Sequence, residues 1–460
     1  MAQYFKNNKH AVYFALFTVI FLYKMSFDIY PFLDDYIQLK VYSLYKNPIK
    51  DVFIKIGTCA SRPLANLLDI VFYSKFYNNL LILYAIICAM HIWGVFLMQS
   101  NLNKINVKTS YVFCIAALIN PLNAEAVYWI SAADRIVVSF FFAQIAVYIL
   151  CLPNYGKSIY TAVLFWLFEL CSLLFYEQAA AVSTAMCLYF GILLKKRSAV
   201  FVTLFNLALV GIYYFLMRNY GVFANRAEAE FFNLAYFAES LKDCAFAAAK
   251  CIYGDFKMFE FKISALFVTA ILLLLCASGY KNKSNCGICK NILFALGLCI
   301  VSFAPFTVLK SYVITFRSLF YTLLGAAIIL DSLFNIINTK YIKSALFAML
   351  CFAFVSCTNT EMSCYRRVAL SDTKIINKTA QILNKYNDKE NLKVCITGAK
   401  KCYTRQSVMF GEHILSVTSS DWAYTGAMRA KLNCPHLPVF VFDDMPDYSK
   451  YDVIIKIGEN

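Results

Sequence analysis

Residues 11–27 read Ala-Val-Tyr-Phe-Ala-Leu-Phe-Thr-Val-Ile-Phe-Leu-Tyr-Lys-Met-Ser-Phe, and residues 30–38 follow with Tyr-Pro-Phe-Leu-Asp-Asp-Tyr-Ile-Gln. The first run is apolar over the length of a membrane helix and lacks a small-residue cleavage site, so it is expected to be retained rather than removed as a signal peptide. The second places Asp34 and Asp35 at the mouth of that helix. Paired carboxylates there cost solvation energy that an anchor has no reason to spend, which marks them as a chemical centre. The rest of the chain repeats the first pattern. Of its 460 residues, 61% are hydrophobic and 15% charged, and the mean hydropathy is +0.60, far from the balance of a soluble domain. Apolar runs long enough to cross about 30 Å of hydrocarbon recur about eleven times.

Lys6, Lys9 and His10 precede the first run and place the N-terminus in the cytoplasm by the positive-inside rule. Further spans are expected at about Leu80 to Met98, Tyr111 to Ile119, Ile136 to Leu152, Ile159 to Phe175, Ala179 to Leu194, Val200 to Met217, Ile263 to Ser278, Ile292 to Leu309, Leu319 to Phe334 and Ile342 to Cys357. With that count, Lys104, Lys108, Lys157, Lys195, Lys196, Arg197, Lys281, Lys283, Lys290, Lys340 and Lys343 fall in inward loops, and none of those loops carries Asp or Glu. Asp34, Asp35, Asp51, Glu125, Asp134, Glu177, Glu228, Glu230, Glu239, Asp243, Asp255 and Glu260 fall in outward segments. The net charge of +16 comes with no basic tail or nucleic-acid motif, and fits membrane topology and anionic lipid instead.

Two outward loops carry apolar residues at helical spacing, Ile37, Val41 and Leu44 in the first and Phe231, Phe232, Leu234, Phe237 and Leu241 in the second. Each reads as a helix lying in the interface, where an anchoring or packing role is the plainer one. After Cys357 charges mix and short strand-like runs appear at Leu392 to Thr397, Pro438 to Phe442 and Val453 to Ile457. The fold expected is therefore an all-α polytopic membrane protein over 1–357, followed by a small outward α/β domain over 358–460. Most cysteines lie in apolar runs and behave as small hydrophobes. Cys286 and Cys289 have C-x-x-C spacing without a second pair, a weak metal signal. Cys395, Cys402 and Cys434 leave room for one disulfide of unassigned pairing.

The outward helix ends collect the remaining chemistry: Asp34 and Asp35; Arg62; Glu125, Trp129, Asp134 and Arg135; Glu177; Lys310, Arg317 and Tyr321. Each has an ordinary reading, as a solvated loop start, a snorkelling arginine, an ion-paired turn or a headgroup anchor. Together they supply what moving a sugar from a lipid phosphate to a hydroxyl requires. A carboxylate, Asp34 first and Asp35 next, takes the acceptor's proton; Arg135, Arg317 or Lys310 holds the departing phosphate. Glu169 stands apart, eight residues before Glu177 and so within the membrane, where it either pairs with a neighbouring helix or lines the cavity.

The run Asn120-Pro-Leu-Asn-Ala-Glu-Ala-Val-Tyr-Trp-Ile-Ser-Ala-Ala-Asp-Arg135 resembles the "HPxHTEAVAWISGRADLL" segment of the transmembrane and tetratricopeptide-repeat O-mannosyltransferases. Arg62-Pro63-Leu64 is similar to that family's "YRPL", Tyr176-Glu177-Gln178 to its "KEQ", and Arg317 to Tyr321 to its "ERxLYLPS". The early Asp-Asp with a later Arg-Pro-Leu is equally similar to bacterial O-antigen glucosyltransferases. The chain departs from the first pattern at Asn120, at Leu122-Asn123-Ala124, and at Phe316, and no tetratricopeptide repeats follow. Both families belong to the GT-C superfamily of polyprenyl-phosphate-sugar-dependent transferases, whose first outer loop carries a catalytic Asp. The resemblance implies an inverting transferase in a bacterial inner membrane with its active site outside. It further implies a polyprenyl-phosphate-linked sugar as donor and a cell-surface glycan such as lipopolysaccharide, or a secreted protein, as acceptor. No cofactor, no metal-ligating residues and no nucleic acid are expected, and the need for a divalent metal is left open. The rival readings are a lipid-linked sugar flippase or other transporter, and a purely structural membrane protein. A phosphoethanolamine transferase would need a metal cluster that His413 and His436 do not supply.

Overall fold

The computed structural model describes residues 9–60, 62–153, 155, 158–194, 197–220, 263–279, 287–303, 305, 315–398, 416–437, 441–442 and 447–457, with scattered positions between 235 and 253. Helices dominate: α1 Lys9–Met25, α2 Asp34–Leu39, α3 Pro63–Val71, α4 Leu80–Lys104, α5 Tyr111–Leu118, α6 Ala124–Tyr128, α7 Ile130–Leu150, α8 Ile159–Phe175, α9 Glu177–Leu194, α10 Arg197–Tyr220, α11 Ile263–Gly279, α12 Ile288–Ser302, α13 Phe320–Ile336 and α14 Lys340–Leu383. Strand β1 (Val394–Thr397), helix α15 (Asp421–Leu432) and strands β2 (Val441–Phe442) and β3 (Val453–Lys456) close the chain.

Among the described residues, four helical stretches are long and apolar enough to cross a membrane: Tyr73–Lys104, Ile130–Leu150, Phe316–Ile336 and Lys340–Leu383. The bent pair Tyr111–Leu118 and Pro121–Tyr128 makes up to five, and shorter apolar helices run beside them. Their outer faces leave Phe14, Trp93, Leu274, Leu293 and Ile300 exposed. Such a girdle belongs against lipid rather than water. This is an all-α membrane protein in its bulk, with spans fewer by this measure than the eleven apolar runs.

Several boundaries differ from the sequence reading. The expected third span ends as read, at Leu118, and is followed by Asn120, whose backbone is extended and whose side chain accepts from the Leu122 N–H at 3.1 Å. Pro121 next to it cannot continue a helix, and the chain resumes at 47°. The fourth span starts six residues early, at Ile130, which moves Asp134 and Arg135 from a loop into a helix. The final helix does not stop at Cys357 but runs 44 residues to Leu383, about 66 Å. The mixed composition beyond Cys357 is a change of surroundings rather than of secondary structure. The first expected interface helix is instead the six-residue α2, a 3-10 turn over Val41–Leu44 and a π-helical stretch over Ile49–Lys55. Phe231, Phe232, Leu234 and Phe237 of the second lie outside the described residues, as do Cys286, Cys402 and His413.

The strands form one sheet of order β2-β1-β3, all parallel, with Cys395 opposite both Val441 and Ile454. Its core is shared. Val394, Ile396 and Ile455 pack with Tyr424, Ala427 and Met428 of α15, with Ile376 and Leu383 of α14, and with Tyr36 and Val41 from the first loop. The layer therefore sits on the same end of the bundle as Asp34.

Candidate active site

Leu33, the residue before α2, has a positive φ of 38°, a conformation a branched side chain adopts only under constraint, and the two carboxylates that follow it differ in burial. Asp35 points inward and is fully buried. Its Oδ2 accepts from the Phe32 N–H at 2.9 Å while its own N–H donates to the Phe32 carbonyl at 2.7 Å, a reciprocal cap for α2. Its Oδ1 accepts from the Ser131 N–H at 2.7 Å, serving an otherwise unpaired donor at the start of α7. Asp35 thus joins two helices and has no oxygen to spare for an acceptor. Asp34 is half-buried and takes part in none of the described hydrogen bonds or ion pairs. Burial pushes its carboxyl above the usual carboxylate range; the guanidinium groups of Arg317, Arg135 and Arg62 pull it back and Asp69 adds to the push. Four charged groups from three segments therefore bear on one carboxyl. Burial pushes the nearby Tyr42 hydroxyl up to about 12, with Arg135 pulling it back and Asp34 and Asp69 adding to the push.

Arg135 is the hub beneath. Its Nη1 donates to Asp134 at 2.7 Å and to the Ser131 carbonyl at 2.6 Å; its Nη2 donates to Asp69 at 2.5 Å and to Asn66 Oδ1 at 3.0 Å. Both carboxylates are fully buried. With four acceptors on its two terminal nitrogens, Arg135 locks α3 to α7, and a departing phosphate would have to displace one of them. That corrects its expected role. Asp69 and Asn66 were not singled out from the sequence, although a lone carboxylate in Pro63-Leu-Ala-Asn-Leu-Leu-Asp69, with Asn66 one turn earlier on the same face, carries that signal.

Arg62 caps α3 in the left-handed conformation. Its guanidinium donates to both oxygens of Glu177, at 3.3 and 3.1 Å, and lies 4.4 Å from the Tyr176 ring centroid. This fork geometry uses two of its donors and leaves the group part-exposed. Arg317 donates its backbone N–H to the buried Glu125 carboxylate at 3.1 Å and sets its guanidinium 4.9 Å from the Trp129 ring. The Trp129 indole N–H is buried without a hydrogen-bond partner among the described residues. Gln178 fixes this turn by donating to the Ser302 and Ser318 carbonyls at 2.8 and 2.9 Å. Tyr321 stacks on Tyr176, but it is fully buried and its hydroxyl is engaged by the Ile136 carbonyl at 3.0 Å and Ser139 at 2.7 Å. It supports the pocket from below instead of lining it. Lys310 lies outside the described residues.

Glu169 is held apart from these groups, buried between α8, α9 and α10, where Ser183 at 2.5 Å and Asn206 at 2.9 Å donate to one of its oxygens. Near the break at Asn120 an apolar cavity of about 310 Å³ opens, lined by Pro121, Leu122, Leu323, Ala327, Ala353 and Phe354 among others. Among the described residues no three His, Cys, Asp or Glu side chains are grouped to hold a metal.

The buried Asp35 makes one prediction. Its carboxyl is pushed up to about 7, chiefly by burial, against the pull of the Ser131 and Phe32 N–H groups. A carboxyl whose pKa is raised on folding adds stability that is complete below about pH 4 and lost as pH rises through 7. Asp35→Asn has no such titration. Measured by thermal unfolding in detergent, wild-type stability should fall relative to that variant by up to about 4 kcal/mol between pH 4 and 7. A gap that stays constant across the window contradicts this placement.

Comparison with family models, with curated proteins and with solved structures finds no match to this chain.

Proposed function

We propose that this protein is an inverting membrane glycosyltransferase of GT-C architecture, crossing a bacterial inner membrane about eleven times with its mouth and α/β layer outside. The donor would be a polyprenyl-phosphate-linked sugar and the acceptor a hydroxyl of a cell-surface glycan, with a secreted protein second. One observation carries the reading. Asp34, which takes part in no hydrogen bond or ion pair among the described residues, is acted on by the guanidinium groups of Arg317, Arg135 and Arg62. In the reaction the acceptor oxygen attacks the sugar's anomeric carbon and its proton passes to Asp34, while the bond to the lipid phosphate breaks and the electron pair leaves with the phosphate. Arg317 and Arg62 neutralise that charge. Arg135 holds the frame, and the apolar cavity beside Asn120 supports a site for the lipid tail.

Mass spectrometry of surface glycans from cells with and without this protein tests the proposal. A sugar present only in cells that hold the protein is the expected result; identical glycans and identical secreted glycoproteins overturn it. A flippase is the alternative that Glu169 favours, because a buried intramembrane carboxylate is a familiar part of transport. It would leave lipid-linked sugar stranded on the inner leaflet when the protein is absent.

A further inference from the structure

We infer that the C-terminal α/β layer is a working part of the site: through Gly426 against Ile37 it sets where Asp34 sits. The inference rests on the transferase reading for its consequence, but the contact is independent of it. Helix α2 has only six residues, too few to hold a helix unaided, so its position is imposed from outside. Asp35 ties one side to α7. Tyr36 joins the core under the sheet. Ile37, on the remaining side, meets α15 at Gly426. A Cβ built on Gly426 would lie 2.5 Å from Ile37 Cγ1 and 2.9 Å from its Cδ1. A glycine inside a helix costs about 1 kcal/mol against alanine, and here it gives the room that α2 occupies.

α15 cannot retreat easily. The Tyr424 hydroxyl bonds Thr379 on α14, and Arg429 Nε donates to the Leu437 carbonyl at 2.8 Å. The segment leading into α15 is latched as well, because Asp372 of α14 accepts from the Ser416 hydroxyl and from the Val417 N–H at 3.0 Å. Added volume at residue 426 is therefore passed to α2, whose Ile37 lies three residues from Asp34 on one helical face. A displacement of about 1 Å at a reacting group costs on the order of 100-fold in rate.

The test uses full-length protein expressed at equal membrane levels in cells lacking the native copy, with Gly426→Leu, Ile37→Ala and the two combined. Surface-glycan modification should fall about 10- to 100-fold in Gly426→Leu and return to within about threefold of wild type when Ile37→Ala is added. In detergent, hydrogen exchange should quicken at the amides of Asp34 to Leu39 in Gly426→Leu, with α7 and β1 unchanged. Gly426→Ala, a smaller insult, provides the same two readouts should the leucine variant not fold. Wild-type activity in Gly426→Leu with unchanged exchange, or a combined variant no better than Gly426→Leu, overturns the inference. If wild type modifies no glycan while exchange responds as described, the transferase reading fails and the positioning contact stands.

Discussion

Asp34→Asn should stop glycan modification, with a fall of about 10²- to 10⁴-fold in rate, while the protein folds and inserts as wild type does. The amide keeps the size of the side chain and removes its ability to take a proton. Asp34 makes no described hydrogen bond or ion pair, so the amide breaks no described polar contact. The contrast with Asp35 sharpens the expectation. Both oxygens of Asp35 are spent on backbone N–H groups of Phe32 and Ser131, so Asp35→Asn should show itself first in stability and its pH dependence. Mass spectrometry of the glycans, set against membrane protein levels, separates the two. Substantial modification by Asp34→Asn removes it as the base.

Arg135→Ala should be the most damaging single change to the fold, costing about 3 to 5 kcal/mol, because it strands Asp69 and Asp134 as buried charges without their cation. Arg135→Lys should recover little of this. An ammonium cannot reach Asp69, Asp134, Asn66 and the Ser131 carbonyl with the fork that a guanidinium offers. The measurement is thermal unfolding of the purified variants in one detergent, beside Arg317→Ala. Arg317 lies over Trp129 at the part-exposed mouth, and its removal should spare most of the stability. Equal unfolding temperatures for wild type and Arg135→Ala contradict the hub role of this side chain.

The membrane class, most helix positions and the strand-like runs were legible in the sequence because hydropathy has a period and a length that the lipid imposes. α8 begins and ends where its apolar run does. What misled was local. Asn120-Pro121 reads as the end of a span, and there the helix does stop, but a second short helix resumes at 47° beyond it. The change of composition after Cys357 does not end the helix: α14 continues to Leu383 while its buried face changes partners, from bundle to sheet. At the site, the sequence pointed to Asp34, Arg62, Arg135 and Arg317, and the described contacts give each arginine a different setting: Arg62 on Glu177, Arg135 between Asp69 and Asp134, Arg317 over Trp129. It did not reveal which of them are already bound. That depends on Asp69 and Asn66, hidden in an apolar run, and on backbone donors at a helix start that no side-chain pattern records. The fit of Gly426 on Ile37, across 389 residues of chain, has no sequence signal.

The pocket's division of labour is tested most directly by the binding of undecaprenyl phosphate to purified wild type, Asp34→Asn and Arg317→Ala in lipid nanodiscs. Asp34→Asn should bind it as tightly as wild type or more so, having lost only a like charge, while Arg317→Ala should bind at least tenfold more weakly. Undiminished binding by Arg317→Ala, or binding lost in Asp34→Asn alone, contradicts a site in which one carboxylate takes the proton and Arg317 holds the phosphate.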